Sequence, residues 1–137
     1  MKNNYEVRYA CSPKETKALT TEGLRKEFLI QNLMEADTTN LVYTHFDRYI
    51  VGGAVPVKSP LKLATIDPLK SDYFLERREI GIINVGGAGS VTVNGKKYDL
   101  DYKEALYIGK ENKEVSFSSD SADTPAKFYL NSTPAHK

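Results

Sequence analysis

The hydrophobic pattern of the chain changes character near residue 40. Upstream, apolar residues come in short clusters that carry helix-start chemistry. Ser12-Pro13-Lys14-Glu15 has the form of a capping box with proline at the first helical position, which predicts a helical turn at residues 13 to 18. Thr21 to Ile30 predicts a second short helix with Leu24 and Phe28 on one face, weakened by Gly23. Together they form a partly helical N-terminal arm, residues 1 to 40. Downstream, LVYTHFDRYIVGG (residues 41 to 53) is rich in β-branched and aromatic residues and closes on paired glycines. It predicts two short strands hinged near Asp47-Arg48. The next segment carries Pro56, Pro60 and Pro68, which confine it to loops and edge strands.

In GSVTVNGKKYDL, Asn94-Gly95 supplies the two positive φ angles of a tight hairpin turn. A two-residue loop sets Val91 opposite Tyr98 and Val93 opposite Lys96, and so offers a β-branched and aromatic pair to the core. EALYIGK and KEVSF follow as short strands joined by a polar turn at Lys110 to Asn112. SSDSADTP is a surface loop, and AKFYLN is the closing strand. About eight short strands with regularly spaced turn signals, and almost no helix after the arm, predict an all-β sandwich or barrel over residues 41 to 137. Within these residues the pattern predicts no second domain, internal repeat or low-complexity tract.

Composition narrows the partners. A chain of 137 residues can bury a real core without disulfides or a structural metal. With 19 basic and 18 acidic residues it has no net field to recruit nucleic acid or an anionic membrane. Cys11 is the single cysteine, MKNNYEVRYA does not resemble a signal peptide, and no apolar run approaches the length of a spanning helix. The expectation is a cytoplasmic protein with no nucleic-acid or membrane partner.

The stretch YFLERREIGIINVGGAG, residues 73 to 89, interrupts a β-forming run with four charges. Arg77 and Arg78 are candidates for recognising a ligand carboxylate, because guanidinium pairs with that group bidentately. The competing reading pairs them with Glu76, Glu79 or a neighbouring subunit. Strand alternation sends the two arginines to opposite faces, so at most one looks inward. No metal site is expected: His45, His136 and Cys11 are scattered, with no His-x-His pair. His45, on an apolar strand, reads as a hydrogen-bonded core residue. Gly86-Gly87-Ala88-Gly89 has no helix after it and lacks the dinucleotide fingerprint, so it predicts a bulge or tight bend. Lys58, Lys62 and Lys70 form a solvated loop face. Tyr43, Tyr49, Tyr73, Tyr98, Tyr107 and Tyr129 are read as core or rim residues rather than sugar-stacking ones.

The run from Ile82 to Phe117 resembles the second half of a cupin barrel: a glycine-led strand, an Asn-Gly hairpin, a strand and a tight turn. The usual Gly-Asp and downstream metal histidine are absent, and Lys103-Glu104 and Glu114 stand in that neighbourhood. A closer resemblance runs from Val7 to His136. LRKEFL (24 to 29), DRYIVGG (47 to 53), YFLERREIGIINVGGAG, YIGKE (107 to 111) and PAKFY (125 to 129) together resemble the N-terminal half of bacterial 5-keto-4-deoxyuronate isomerase, the 4-deoxy-L-threo-5-hexosulose-uronate ketol-isomerase family. The resemblance implies an all-β, cupin-like sandwich or jelly-roll barrel, one of two stacked halves of a homo-oligomer that is hexameric in the family. It also implies an unsaturated-uronate substrate from pectin breakdown and a zinc site in the second half, with no cofactor in this one. Glu76-Arg77-Arg78 matches the Glu-Arg-Arg of the family's metal run, while Tyr73 and Leu75 stand in place of its histidines and Ile80 in place of its glutamate. The expectation is therefore a half with no catalytic residue of its own, with Arg77 and Arg78 as candidate contacts to a uronate carboxylate. The alternative is a stand-alone, non-catalytic module that binds a sugar acid.

Overall fold

In a computed structural model, residues 4–136 are described. The alternating stretches pair as β1 (Asn4–Arg8), β2 (Thr39–Thr44), β3 (Ile50–Ala54), β4 (Leu61–Lys62), β5 (Arg78–Asn84), β6 (Gly89–Val93), β7 (Lys96–Leu100), β8 (Ala105–Ile108), β9 (Val115–Ser119) and β10 (Phe128–Pro134). They form a six-stranded sheet in the order β1-β2-β3-β10-β5-β8 and a four-stranded sheet in the order β4-β9-β6-β7. The sheets remain two layers and do not close into a barrel. The chain crosses between them six times, from β3 to β4, β4 to β5, β5 to β6, β7 to β8, β8 to β9 and β9 to β10, as a jelly roll does.

Each sheet turns its alternate apolar side chains toward the other. Leu41, Ile50, Ile80, Ile82, Phe128 and Leu130 from the larger sheet meet Leu61, Val91, Val115 and Phe117 from the smaller in one buried cluster. The rings of Phe117 and Phe128 lie 5.4 Å apart across the layers. The hairpin β6–β7 has the expected register, Val91 with Tyr98 and Val93 with Lys96, around Asn94 at φ 48° and Gly95 at φ 85°. The proline-rich segment contributes only the two-residue edge strand β4 and a single 3₁₀ turn, Asp67–Leu69.

The arm differs from expectation. It contains β1, a strand absent from the sequence reading, which pairs in parallel with β2 and becomes an edge of the larger sheet. Helix α1 (Pro13–Thr16) starts at Ser12, whose side chain accepts from the Glu15 N–H, and α2 (Thr21–Phe28) starts at Thr20, which accepts from the Gly23 N–H. The apolar face of α2 is not buried: Leu24 and Phe28 are 38% and 49% exposed. None of the helices among the described residues is long and apolar enough to cross a membrane.

The GGAG stretch bends at residues 86–88, as expected. Among its glycines the need is proximity rather than a left-handed bend: a Cβ on Gly87 would overlap the Thr124 carbonyl, and one on Gly86 or Gly89 would meet backbone as well. Asn84, fully buried at the end of β5, fastens this corner. Its Nδ2 donates to the carbonyls of Gly87 (2.8 Å) and Leu100 (2.9 Å), and its Oδ1 accepts from Gly86 and Lys127 N–H.

Candidate functional site

β5 begins at Arg78 and buries every second side chain, so Arg78 points inward together with Ile80, Ile82 and Asn84. Only 5% of Arg78 is exposed. Its Nε donates to Ser132 Oγ at 2.8 Å, and its Nη2 donates to the carbonyls of Ser132 (3.1 Å) and Arg48. The guanidinium carbon lies 6.0 Å from the centre of the Phe74 ring. Among the described residues, Arg78 has no carboxylate within ion-pair distance. Burial pulls its pKa down to about 10, with Tyr43 opposing and the nearby positive charge of Arg48 adding to the decrease, so the group stays charged near neutrality. A buried, uncompensated cation costs several kcal/mol, and such groups concentrate at functional sites.

Arg48 comes to the same place through the β2–β3 turn. Asp47 and Arg48 both adopt left-handed backbone, φ 53° and 58°, and the Tyr49 N–H closes the turn on the Phe46 carbonyl at 3.1 Å. Arginine is rarely found in that conformation, and here it aims the Arg48 carbonyl at Arg78. Arg77 precedes β5, so the alternation rule does not govern it. It donates from Nη1 to Glu76 Oε2 at 2.8 Å, and from Nη2 to the carbonyls of Leu69 (2.8 Å) and Lys70 (2.7 Å), gripping the loop after the 3₁₀ turn.

These residues and Lys110 line one cavity of about 490 Å³ at an end of the sandwich. Only Arg78 is buried and Arg77 is exposed, in keeping with the expectation that at most one looks inward, yet both border this space because the strand starts between them. Tyr43, Ser71 and His136 add polar groups and Phe74 and Leu69 an apolar wall, and among the described residues neither aspartate nor glutamate lines the cavity. The pocket is therefore suited to an anion. A second cavity, about 440 Å³, is lined by Lys62, Asp72, Lys113 and Glu114, whose charges cancel.

His45 is not a core residue. It lies exposed beyond the end of β2, stacked on Tyr9 at 4.6 Å and edge-on to Tyr43 at 5.3 Å, because the sheet ends one residue earlier. Of the tyrosines considered above, Tyr43 alone borders the cationic cavity. Lys103 and Glu104 shape the turn before β8, and Glu114 bonds through its backbone to Asn94, so these three serve local structure.

The residues present do not fit a zinc centre. Leu75 and Ile80, two positions that the resemblance set against metal ligands, are each 1% exposed within the core. Among the described residues no group of three His, Cys, Asp or Glu side chains could hold a metal ion. The sequence reading missed Arg48 and Lys110 as pocket residues, although both lie in the short motifs DRYIVGG and YIGKE that stood out there.

A two-sheet sandwich with these crossings places the molecule among cupin folds, and a solved structure agrees: the cupin domain of Schizosaccharomyces pombe Cnp3, TM-score 0.52, 9% identity, covering 71% of this chain and 64% of that one. No protein-family model matches the chain. Named relatives are far more similar in sequence. The 4-deoxy-L-threo-5-hexosulose-uronate ketol-isomerase of Formosa agariphila is 65% identical over 136 residues, 99% of this chain and 49% of its own length. The ketol-isomerase of Bacteroides fragilis is 53% identical over 137 residues, 100% of this chain and 49% of its own. The chain is a relative of the 4-deoxy-L-threo-5-hexosulose-uronate ketol-isomerases along nearly all of its residues, and it spans about half the length of the curated relatives it matches.

Proposed function

We propose that this chain is the N-terminal cupin half of a ketol-isomerase that converts 5-keto-4-deoxyuronate to 3-deoxy-D-glycero-2,5-hexodiulosonate during cytoplasmic breakdown of pectin-derived uronates. The observation that carries the reading is 53–65% identity along the whole chain to one half of proteins named for that reaction. In this reading zinc and proton transfer belong to the other half. The present half builds the homo-oligomer, a hexamer by family resemblance, and borders the substrate path. Arg78, buried and facing the cavity, and Arg77 at its edge supply positive charge toward the substrate carboxylate.

The division of labour has a direct test. Residues 1 to 137, purified and supplied with zinc, are expected to leave 5-keto-4-deoxyuronate unchanged. Co-expression with the remaining half of the Formosa agariphila relative is expected to give a complex that turns it over. Zinc-dependent turnover by the chain alone would overturn the proposal, as would an inactive complex of the two.

A further inference from the structure

The cavity beside Arg78 has the chemistry of a complete small-molecule site, and Arg78 itself shows what is missing from it. A guanidinium carries five N–H donors. Three hydrogen bonds leave Nε and Nη2, and Nη1 donates to no described residue. Among the described residues the single buried side-chain polar atom without a partner is Thr39 Oγ1, so Arg78 Nη1 is not sealed in protein, and the open space that Arg78 borders is the cavity. Carbonyl and hydroxyl acceptors satisfy its donors but do not neutralise its charge. The Arg48 side chain adds a second guanidinium from a strained turn, and Lys110 adds an ammonium that is partly offset by Glu111, 4.0 Å away. A fold that buries one cation without an anion and sets a second guanidinium and a partly offset ammonium beside it is stabilised by a ligand that brings the anion.

We infer that this cavity binds a small polyhydroxy carboxylic acid of the sugar-acid class, with its carboxylate on Arg78 Nη1 and Arg48 and with Lys110 closing the charge. Planar guanidinium forks match a carboxylate. Tyr43 and Ser71 supply polar partners for hydroxyls, and Phe74 and Leu69 supply a face for the carbon skeleton. The choice of a sugar acid rests on the isomerase reading; the anion itself rests on the pocket alone. Binding is a property of this chain, because every residue named belongs to it.

The experiment is calorimetric titration of residues 1 to 137 with D-galacturonate, D-galactose and inorganic phosphate, repeated on two variants. D-galacturonate is expected to bind saturably with a Kd of about 1 mM or tighter, D-galactose not at all, and phosphate at least about tenfold more weakly. Arg48→Gly suits the left-handed turn, so it is expected to melt no lower than the native chain while weakening galacturonate about tenfold, one charge-assisted hydrogen bond. Lys110→Met, on an outer turn, is expected to weaken it in the same direction. No galacturonate heat at about 10 mM, well above such a Kd, overturns the inference. So does phosphate binding as tightly as galacturonate, or affinity unchanged in both variants. An active two-half complex whose first half shows no binding rejects this inference alone. Binding by the chain with an inactive complex rejects the isomerase reading alone.

Discussion

At the scale of single residues, side chains in this fold do more to fix backbone than to pair charges. Asp37 shows it. Its Oδ1 accepts the N–H groups of Lys58 (2.8 Å) and Val57 (2.9 Å), and these bonds, that of Lys58 foremost, hold its pKa below the ordinary 3.8. A carboxyl whose folded pKa is depressed contributes stability above its unfolded pKa and loses it as pH falls through the folded value. Asp37→Asn is therefore expected to lower stability at pH 6. In urea titrations across pH, the gap to the native chain should close below about pH 3.8. A gap of constant size would show that the carboxylate charge contributes nothing. Arg78 is the opposite case, a charge the fold keeps at a cost because burial disfavours it. Its sequence context revealed arginine chemistry but not which arginine would be buried, since that depended on where β5 begins. Neither Asp37 nor the left-handed pair Asp47-Arg48 was legible as such, although the turn at Asp47-Arg48 was.

At the scale of elements, the two glycine signals of the chain prove to be different in kind. Gly95 sits in a turn with φ 85° and open space around it, so Gly95→Ala pays only left-handed strain, about 1 kcal/mol. Gly87 lies against the Thr124 carbonyl, where a methyl group forces two loops apart. Gly87→Ala is expected to cost about 1–3 kcal/mol and to exceed the Gly95 variant in denaturant unfolding. A reversed order would mean that the loop carrying Thr124 yields freely. The hairpin was readable because Asn-Gly encodes its own geometry within two residues. The bend at GGAG was readable as well, but the need for glycine there was not, because the atoms it must avoid lie some 37 residues away in sequence. Strand β1 escaped notice for a related reason: NYEVR is exposed along most of its length and carries Glu6 and Arg8, and parallel pairing with β2 from an edge leaves no alternation to detect.

For the whole molecule, the buried cluster runs through both sheets without a break, with Phe117 and Phe128 in contact across them. Residues 1 to 137 are expected to unfold in one transition, with equal calorimetric and van't Hoff enthalpies and a heat-capacity change of about 1.8 kcal/mol/K. Two separated transitions would show that the layers are independent. The sequence by itself determined the all-β class, the hairpin register, the helix starts and the likeness to half of a ketol-isomerase, because each is written in neighbouring residues or in motifs that survive translation into a string. Only the tertiary structure decided that Arg48, Arg77, Arg78 and Lys110 border one cavity that no described aspartate or glutamate lines, and that His45 lies outside the core. It alone decided that Leu75 and Ile80 fill the core. A strand's first residue and the meeting of distant loops are set by the packing of two sheets, and that packing is a balance of burial over the whole chain rather than a property of any segment.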